Sequence, residues 1–400
     1  IGISFPKQTR LEDMRQNIRS HYIGDIEILR AFAILLVVFH HASKAGYFLG
    51  IPFTKEFFHY FGGGKGVDLF FVISGFVIAR SLLPKLQGAV DRSAFLRQAI
   101  TFWIRRFWRL APSAWLWLLI PVFLAFFFNA SGTFGTLKGN FAGMAAGILN
   151  VYNFYFVSIF GDPVYGNTNF VHWTLSLEAQ FYFILPFVIY FSRNRLEALL
   201  LILVILQLLI FRNKWMLIAR MDGFFLGVLI AYWKQNSLGF SLLEPKILNS
   251  AWARGFFSCL LIFALLVVSG KLKILPQPYK VSMAALVSGI AVIVASFDKG
   301  YIIRSKWLKK VLVWIGARSY GIYLVHIPIL HLMIECYIRQ FPKFQQHDQW
   351  GVLVALFVFL WLLLTTIISE LNFRFIEEPF RKTGRRIAKN YFETHNQTKE

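Results

Sequence analysis

Hydrophobic and polar positions fall into long blocks along this chain. A run such as LLLILVILQLLIF at 199–211 carries a single polar residue. A helix needs about 20 mainly apolar residues to cross the hydrocarbon core of a bilayer. On that measure ten segments predict membrane-spanning helices: 26–43, 66–83, 110–128, 175–192, 196–211, 217–233, 254–269, 281–297, 313–335 and 350–371. An eleventh stretch, FAGMAAGILNVYNFYFVSIF at 141–160, mixes Gly, Asn and Tyr with apolar residues and suits a re-entrant or interfacial segment. The pattern predicts an all-α integral membrane protein, a bundle of about ten transmembrane helices. No heptad, tandem or inverted repeat is evident.

Composition agrees. Of 400 residues, 57% are apolar and 16% charged, where an average soluble protein has about 25% charged residues. Disorder is excluded by the hydrophobicity. Charge then adds orientation: 42 Lys and Arg against 20 Asp and Glu leave a net +22. Threading ten spans from a cytoplasmic N-terminus puts 27 basic residues in cytoplasmic segments, 11 in outer segments and 4 within spans. The positive-inside rule therefore predicts that both termini are cytoplasmic. Counting 141–160 as a crossing would move the basic RKTGRRIAK at 381–389 outside, so it is read as non-spanning. The excess of cations thus marks topology, not a nucleic-acid partner. The chain divides into a cytoplasmic segment 1–25, a transmembrane domain 26–380 and a basic cytoplasmic tail 381–400. Cys259 and Cys336 lie in or beside apolar segments; they read as packing residues, with no disulfide framework and no metal site.

A charge inside a span costs about 2.5–3.5 kcal/mol on insertion scales, so each one is a candidate for function. Arg30 and His41 are eleven residues apart in the first span. At 100° per residue they share a helix face, separated by roughly 16 Å along the axis. Arg30 near the cytoplasmic end suits an anion; His41 near the outer end suits proton transfer. The competing reading makes both residues interfacial. The second span opens GGGKGVDLFFVISGF, which places Asp68 in the membrane and Ser74 and Gly75 where helices can pack closely. On the cytoplasmic side, FWIRRFWRLAP puts Arg106 and Arg109 on one face, with Arg105 beside them and Pro112 following. Guanidinium pairs bind phosphates bidentately; the bland alternative is a positive-inside anchor. FVHWTLSLEAQFYF brings His172, Trp173, Glu178, Phe181 and Tyr182, with the aromatics able to stack on a sugar. Arg220 and Asp222 start one span; Arg318, Ser319, Tyr320, Tyr323 and His326 fall in another; Glu377, Glu378 and Pro379 close the bundle.

Taken together these motifs resemble the membrane-bound acyltransferase family 3, the O-acyltransferases of bacterial surface polysaccharides. Six elements match in the family's order between about Asp25 and Arg381. They are Arg30 with His41, GVDLFFVISGF at 66–76, Arg106 and Arg109 before Pro112, HWTLSLEAQFYF at 172–183, Ser319-Tyr320-x-x-Tyr323-x-x-His326, and Glu377-x-Pro379-x-Arg381. Two departures stand out. Glu27 and Ile28 replace the family's aspartate and glycine before the first arginine, and Ala179 follows Glu178 where many members have a second acid. Some members carry an extracytoplasmic hydrolase-like domain; this chain resembles the stand-alone form.

The resemblance implies an acyl-CoA donor, most often acetyl-CoA, and an acceptor hydroxyl on a cell-surface glycan such as O-antigen or exopolysaccharide, at the bacterial cytoplasmic (inner) membrane. Arg30, Arg106 and Arg109 are then expected to hold the donor's phosphates. Its pantetheine arm is expected to extend toward His41. His41 is expected to act as general base or acyl carrier, with Glu178 or Asp68 orienting it. His172, Trp173, Tyr320, Tyr323 and His326 are expected to contact the acceptor. Two alternatives stay open at this stage: succinyl transfer, and a transporter or flippase of a lipid-linked glycan.

Overall fold

The structure is a computed structural model that describes residues 23–48, 60–159, 168–209, 220–270, 277–340 and 350–397. Among these, fourteen α-helices account for nearly all regular structure, and there is no strand. They are α1 (Gly24–Phe48), α2 (Gly66–Gln87), α3 (Arg92–Phe127), α4 (Leu137–Ile148), α5 (Tyr152–Ser158), α6 (His172–Ser192) and α7 (Leu196–Leu209). Then follow α8 (Asp222–Asn236), α9 (Ala251–Ser269), α10 (Gln277–Ser296), α11 (Lys306–Ala317), α12 (Ser319–Gln340), α13 (Trp350–Asn372) and α14 (Glu378–Gln397). Six described stretches are long and apolar enough to cross a membrane, within α2, α3, α9, α10, α12 and the α13–α14 run. The described parts of α7 and α8, 14 and 15 residues, are too short for that measure.

Between lipid-facing helices there is little hydrophobic driving force, so association depends on close van der Waals packing at small residues. The centre of this bundle is built that way. A Cβ added to Gly75 of α2 would sit 2.1 Å from the Phe224 carbonyl oxygen, and one on Gly227 of α8 would sit 2.2 Å from that of Val72. Backbone therefore meets backbone, and only hydrogen fits at either position. Phe224 is stacked between Phe71 and Phe181, at centroid distances of 4.5 and 4.4 Å. The close-packing role read for Gly75 is what the structure shows. Gly227→Val should separate α2 from α8 at a cost of about 1–3 kcal/mol or more, typical of overpacking. Thermal denaturation in detergent should report it as a clear loss of stability.

At one end of the bundle, the start of α1 is tied to the segment before α11. Asp25 accepts from the Tyr301 backbone N–H at 3.0 Å and pairs with Lys309 at 3.7 Å. Nearby, Glu244 accepts from Lys299 at 2.6 Å and from the Tyr301 hydroxyl at 2.5 Å. These two donors hold the carboxyl below its ordinary range, and donation to a carboxylate pushes the Tyr301 phenol up to about 12.

Five expectations are corrected or refined. The segment 313–335 is not one helix: the chain breaks at Arg318, between α11 and α12. Gly316 lies so close to the backbone of α1 that a Cβ would be 2.0 Å from the Glu27 oxygen. Arg318 then turns the chain, held by Glu370 at 2.6 Å and packed on the rings of Trp314 and Phe373. The third span extends far toward the N-terminus of its helix, and Pro112 and Pro121 lie inside a continuous α3. The basic tail continues as helix α14, whose Gly384 admits the side chain of Trp108 from α3. Cys259 and Cys336 are free and exposed on their helices, not packed between them. The 141–160 stretch forms two short helices, α4 and α5, of 12 and 7 residues, neither long enough to cross. Gln180 of α6 fastens the turn between them, donating to the Asn150 carbonyl at 2.8 Å and accepting from Asn153 at 3.1 Å.

Candidate active site

Six elements converge on one polar cavity: α1, α2, α3, α6, the α11–α12 break and the turn between α13 and α14. The space between them is lined by Arg30, Ser74, Arg106, Arg109, Glu178, Tyr182, Tyr320, Tyr323, Glu377 and Arg381, among others. Residues read from all six motifs thus share one chamber. Helical spacing does part of the work, because Arg106 and Arg109 lie three residues apart and point the same way.

The carboxylate of Glu178 organises one wall. The Ser74 hydroxyl donates to its Oε1 at 2.6 Å, and the Tyr182 hydroxyl, one turn along α6, donates to the same oxygen. The two hydroxyl oxygens are 2.9 Å apart. Arg106 lies over the rings of Phe102 and Tyr182, 5.5 Å from each centroid. Among the described residues, neither Arg106 nor Arg109 has a carboxylate within ion-pair distance. Two guanidinium groups therefore face the cavity without a contact ion pair, sharing its wall with Glu178 and Glu377. Arg30 differs from them: Glu27 meets it at 2.8 Å. The Glu27 that replaces the family's aspartate thus fills the role of a carboxylate beside Arg30.

The floor is formed where α13 passes into α14. Phe373–Glu377 is a π-helical turn, a distortion often found at functional sites. Asn372 ahead of it accepts from the Ser113 hydroxyl at 2.8 Å and the Trp117 indole at 3.0 Å, and donates to Glu377 at 2.7 Å. Gly321 of α12 lets this turn approach: a Cβ there would be 2.9 Å from Glu377 Oε1. Arg381 is paired with Glu378.

Away from the arginines the cavity wall includes Phe70, Thr174 and Tyr323. Tyr323 bonds Thr174 at 2.7 Å and donates to the Val171 carbonyl at 3.0 Å, so its hydroxyl serves the fold. Beyond it along α12 stands His326, whose Nε2 lies 2.9 Å from Nδ1 of His41. His41 is not among the residues that line the cavity. Both carboxylates expected to orient it have partners of their own. Glu178 holds Ser74 and Tyr182, and Asp68 pairs with Arg220 at 3.6 Å. Of the five residues expected to meet an acceptor, Tyr320 and Tyr323 line the cavity. His172 is buried and lines an adjoining groove between α3, α6 and the α4–α5 turn, a groove that shares Arg106, Glu178 and Tyr182 with the cavity. Trp173 is occupied by Arg220, 4.8 Å above its ring, and His326 is wholly buried. Phe181, read as a stacking face for a sugar, is a core residue against Phe224. Ser74 and Asn372 escaped the reading of the sequence. For Ser74 the available signal was its place in GVDLFFVISGF, and it was read there as packing.

Comparison with known proteins bears on this arrangement. A family model described as an acyltransferase domain matches residues 23–369. The peptidoglycan O-acetyltransferase OatA of Listeria monocytogenes is 30% identical over 91% of this chain and 56% of its own length. The O-acetyltransferase OatA of Staphylococcus aureus is 26% identical over 94% of this chain and 59% of its own. The chain thus spans somewhat more than half the length of these relatives. No solved structure matches it.

Proposed function

The chain belongs to the acyltransferase family, and from that premise we propose that it is an integral membrane O-acetyltransferase. It takes an acetyl group from acyl-CoA on the cytoplasmic side and passes it to a hydroxyl of a cell-surface glycan outside. It crosses the bacterial cytoplasmic membrane about ten times with both termini in the cytoplasm, as the distribution of basic residues supports. The observation that carries the reading is the cavity in which Arg106 and Arg109 stand beside Glu178 without a contact ion pair. Coenzyme A presents several phosphate charges that cannot cross lipid, and paired guanidinium groups are suited to hold them. Arg30, already met by Glu27, contributes field more than a free binding fork.

The chemistry follows from the donor. The acceptor hydroxyl oxygen attacks the thioester carbonyl carbon, the C–S bond breaks, and the ester forms. His41 takes the hydroxyl proton and returns it to the departing sulfur. Glu178, holding Ser74 and Tyr182, shapes the cavity through which the acyl arm passes. The relatives' names favour peptidoglycan as acceptor over the O-antigen or exopolysaccharide expected from the sequence. The test compares surface glycans by mass spectrometry with and without the gene. An ester-linked acetyl group that depends on the gene is expected, together with binding of acetyl-CoA by the purified protein. An unchanged ester content with no such binding would overturn the reading and favour glycan transport.

A further inference from the structure

His41 and His326 meet ring to ring, and the surroundings of His326 decide where the hydrogens lie. Nδ1 of His326 is 3.0 Å from the Ile322 carbonyl oxygen. A carbonyl only accepts, so this nitrogen carries hydrogen. A neutral imidazole has one N–H and one lone pair, which leaves Nε2 of His326 as an acceptor. That atom is 2.9 Å from Nδ1 of His41. The hydrogen between the rings therefore belongs to His41, and the lone pair of His41 is on its Nε2. His326 has little freedom to change this. It is 0% exposed, its own carbonyl accepts from the Trp361 indole at 2.8 Å, and Tyr323 packs against its ring at 5.9 Å.

From this geometry we infer that His326 is a positioning residue, not an acceptor contact: it fixes His41 as the Nδ1–H tautomer and so presents Nε2 as the proton-accepting atom. The inference rests on the reading of His41 as general base. During transfer the acceptor's hydroxyl proton goes to Nε2 of His41. Nδ1 keeps its hydrogen bond to the neutral ring of His326 throughout. The proton then leaves Nε2 for the thiolate sulfur of coenzyme A. Atoms and charge balance, and His326 neither gains nor loses a proton. The role is that of the group behind a catalytic histidine in a hydrolase triad, where a wrong tautomer costs about 10⁴ in kcat, but supplied here by a second imidazole.

Two variants separate the roles. His326→Leu removes the acceptor at similar volume. In His326→Gln the amide oxygen stands near the place of Nε2 and still accepts from His41. Native membranes given radiolabelled acetyl-CoA report label transferred to glycan. His326→Leu should lower kcat about 100-fold or more, the scale of losing a positioned base, with KM for acetyl-CoA nearly unchanged. His326→Gln should recover most of that rate. Nitrogen NMR of histidine-labelled wild-type protein should show His41 protonated at Nδ1. A His326→Leu enzyme as fast as wild type, beside an inactive His41→Ala, would overturn the positioning role and leave the base intact. So would a wild-type His41 protonated at Nε2 alone. An active His41→Ala would remove both. If the leucine variant fails to accumulate in membranes, the glutamine variant and the wild-type spectrum decide.

Discussion

Cells carrying His41→Ala should show no gene-dependent ester on their surface glycans, while the protein reaches the membrane at its usual level. The loss in transfer should be on the order of 10²–10⁴, the contribution of a positioned general base. Such a change is not expected to unfold the bundle. His41 is only half-buried, whereas the turns of α1 that carry its packing, through Ile28, Leu29 and Ile34, are completely buried and unaltered. The substitution removes the bond to His326, worth about 0.5–1.5 kcal/mol net. It also leaves Nε2 of His326 without that donor. Gel filtration in detergent should therefore give the same profile for both proteins. Full acetylation in this variant would sink the assignment of His41 as base, because no other residue is asked to take the acceptor's proton.

The contrast between what the sequence revealed and what it hid has physical causes. Blocks of apolar residues are a direct consequence of the bilayer as solvent, so helix positions such as 66–83 and 281–297 were legible as α2 and α10. Charges buried in such blocks are costly, and this cost flagged Arg30, His41, Glu178 and Asp68 without a structure. Which of them meet is another matter. Periodicity gives a face of a helix but not its neighbour. It could not show that Glu27 already satisfies Arg30, or that His41 faces His326, 285 residues away. The break at Arg318 was hidden for a similar reason. Next to it Gly316 meets the backbone of Glu27, and hydropathy is blind to such long-range approach. Hydroxyl residues were the hardest to place. Ser74 costs little to bury and reads as a small packing residue until Glu178 is seen opposite it.

The difference between Arg30 and the Arg106–Arg109 pair leads to the second large effect. Arg109→Gln or Arg106→Gln should raise KM for acetyl-CoA roughly ten- to a hundredfold, since a hydrogen bond to a charged group contributes about 1.5–3 kcal/mol. The double variant should lose saturation altogether. Acetyl-pantetheine, which lacks the nucleotide phosphates, supplies the control. If these arginines hold phosphate, its rate should be poor but the same in wild type and variants. Arg109→Lys should recover only part of the affinity, because an ammonium is a point charge without the planar fork of a guanidinium. Arg30→Gln should raise the donor KM less than either, as Glu27 already matches its charge. Both cavity arginines sit on α3 within a helix fixed by Trp108 against α14, so truncation to Gln leaves the wall in place. Equal losses with acetyl-CoA and acetyl-pantetheine would mean that the pair acts on the acyl end or on the fold, and the cavity would not be the donor's phosphate site.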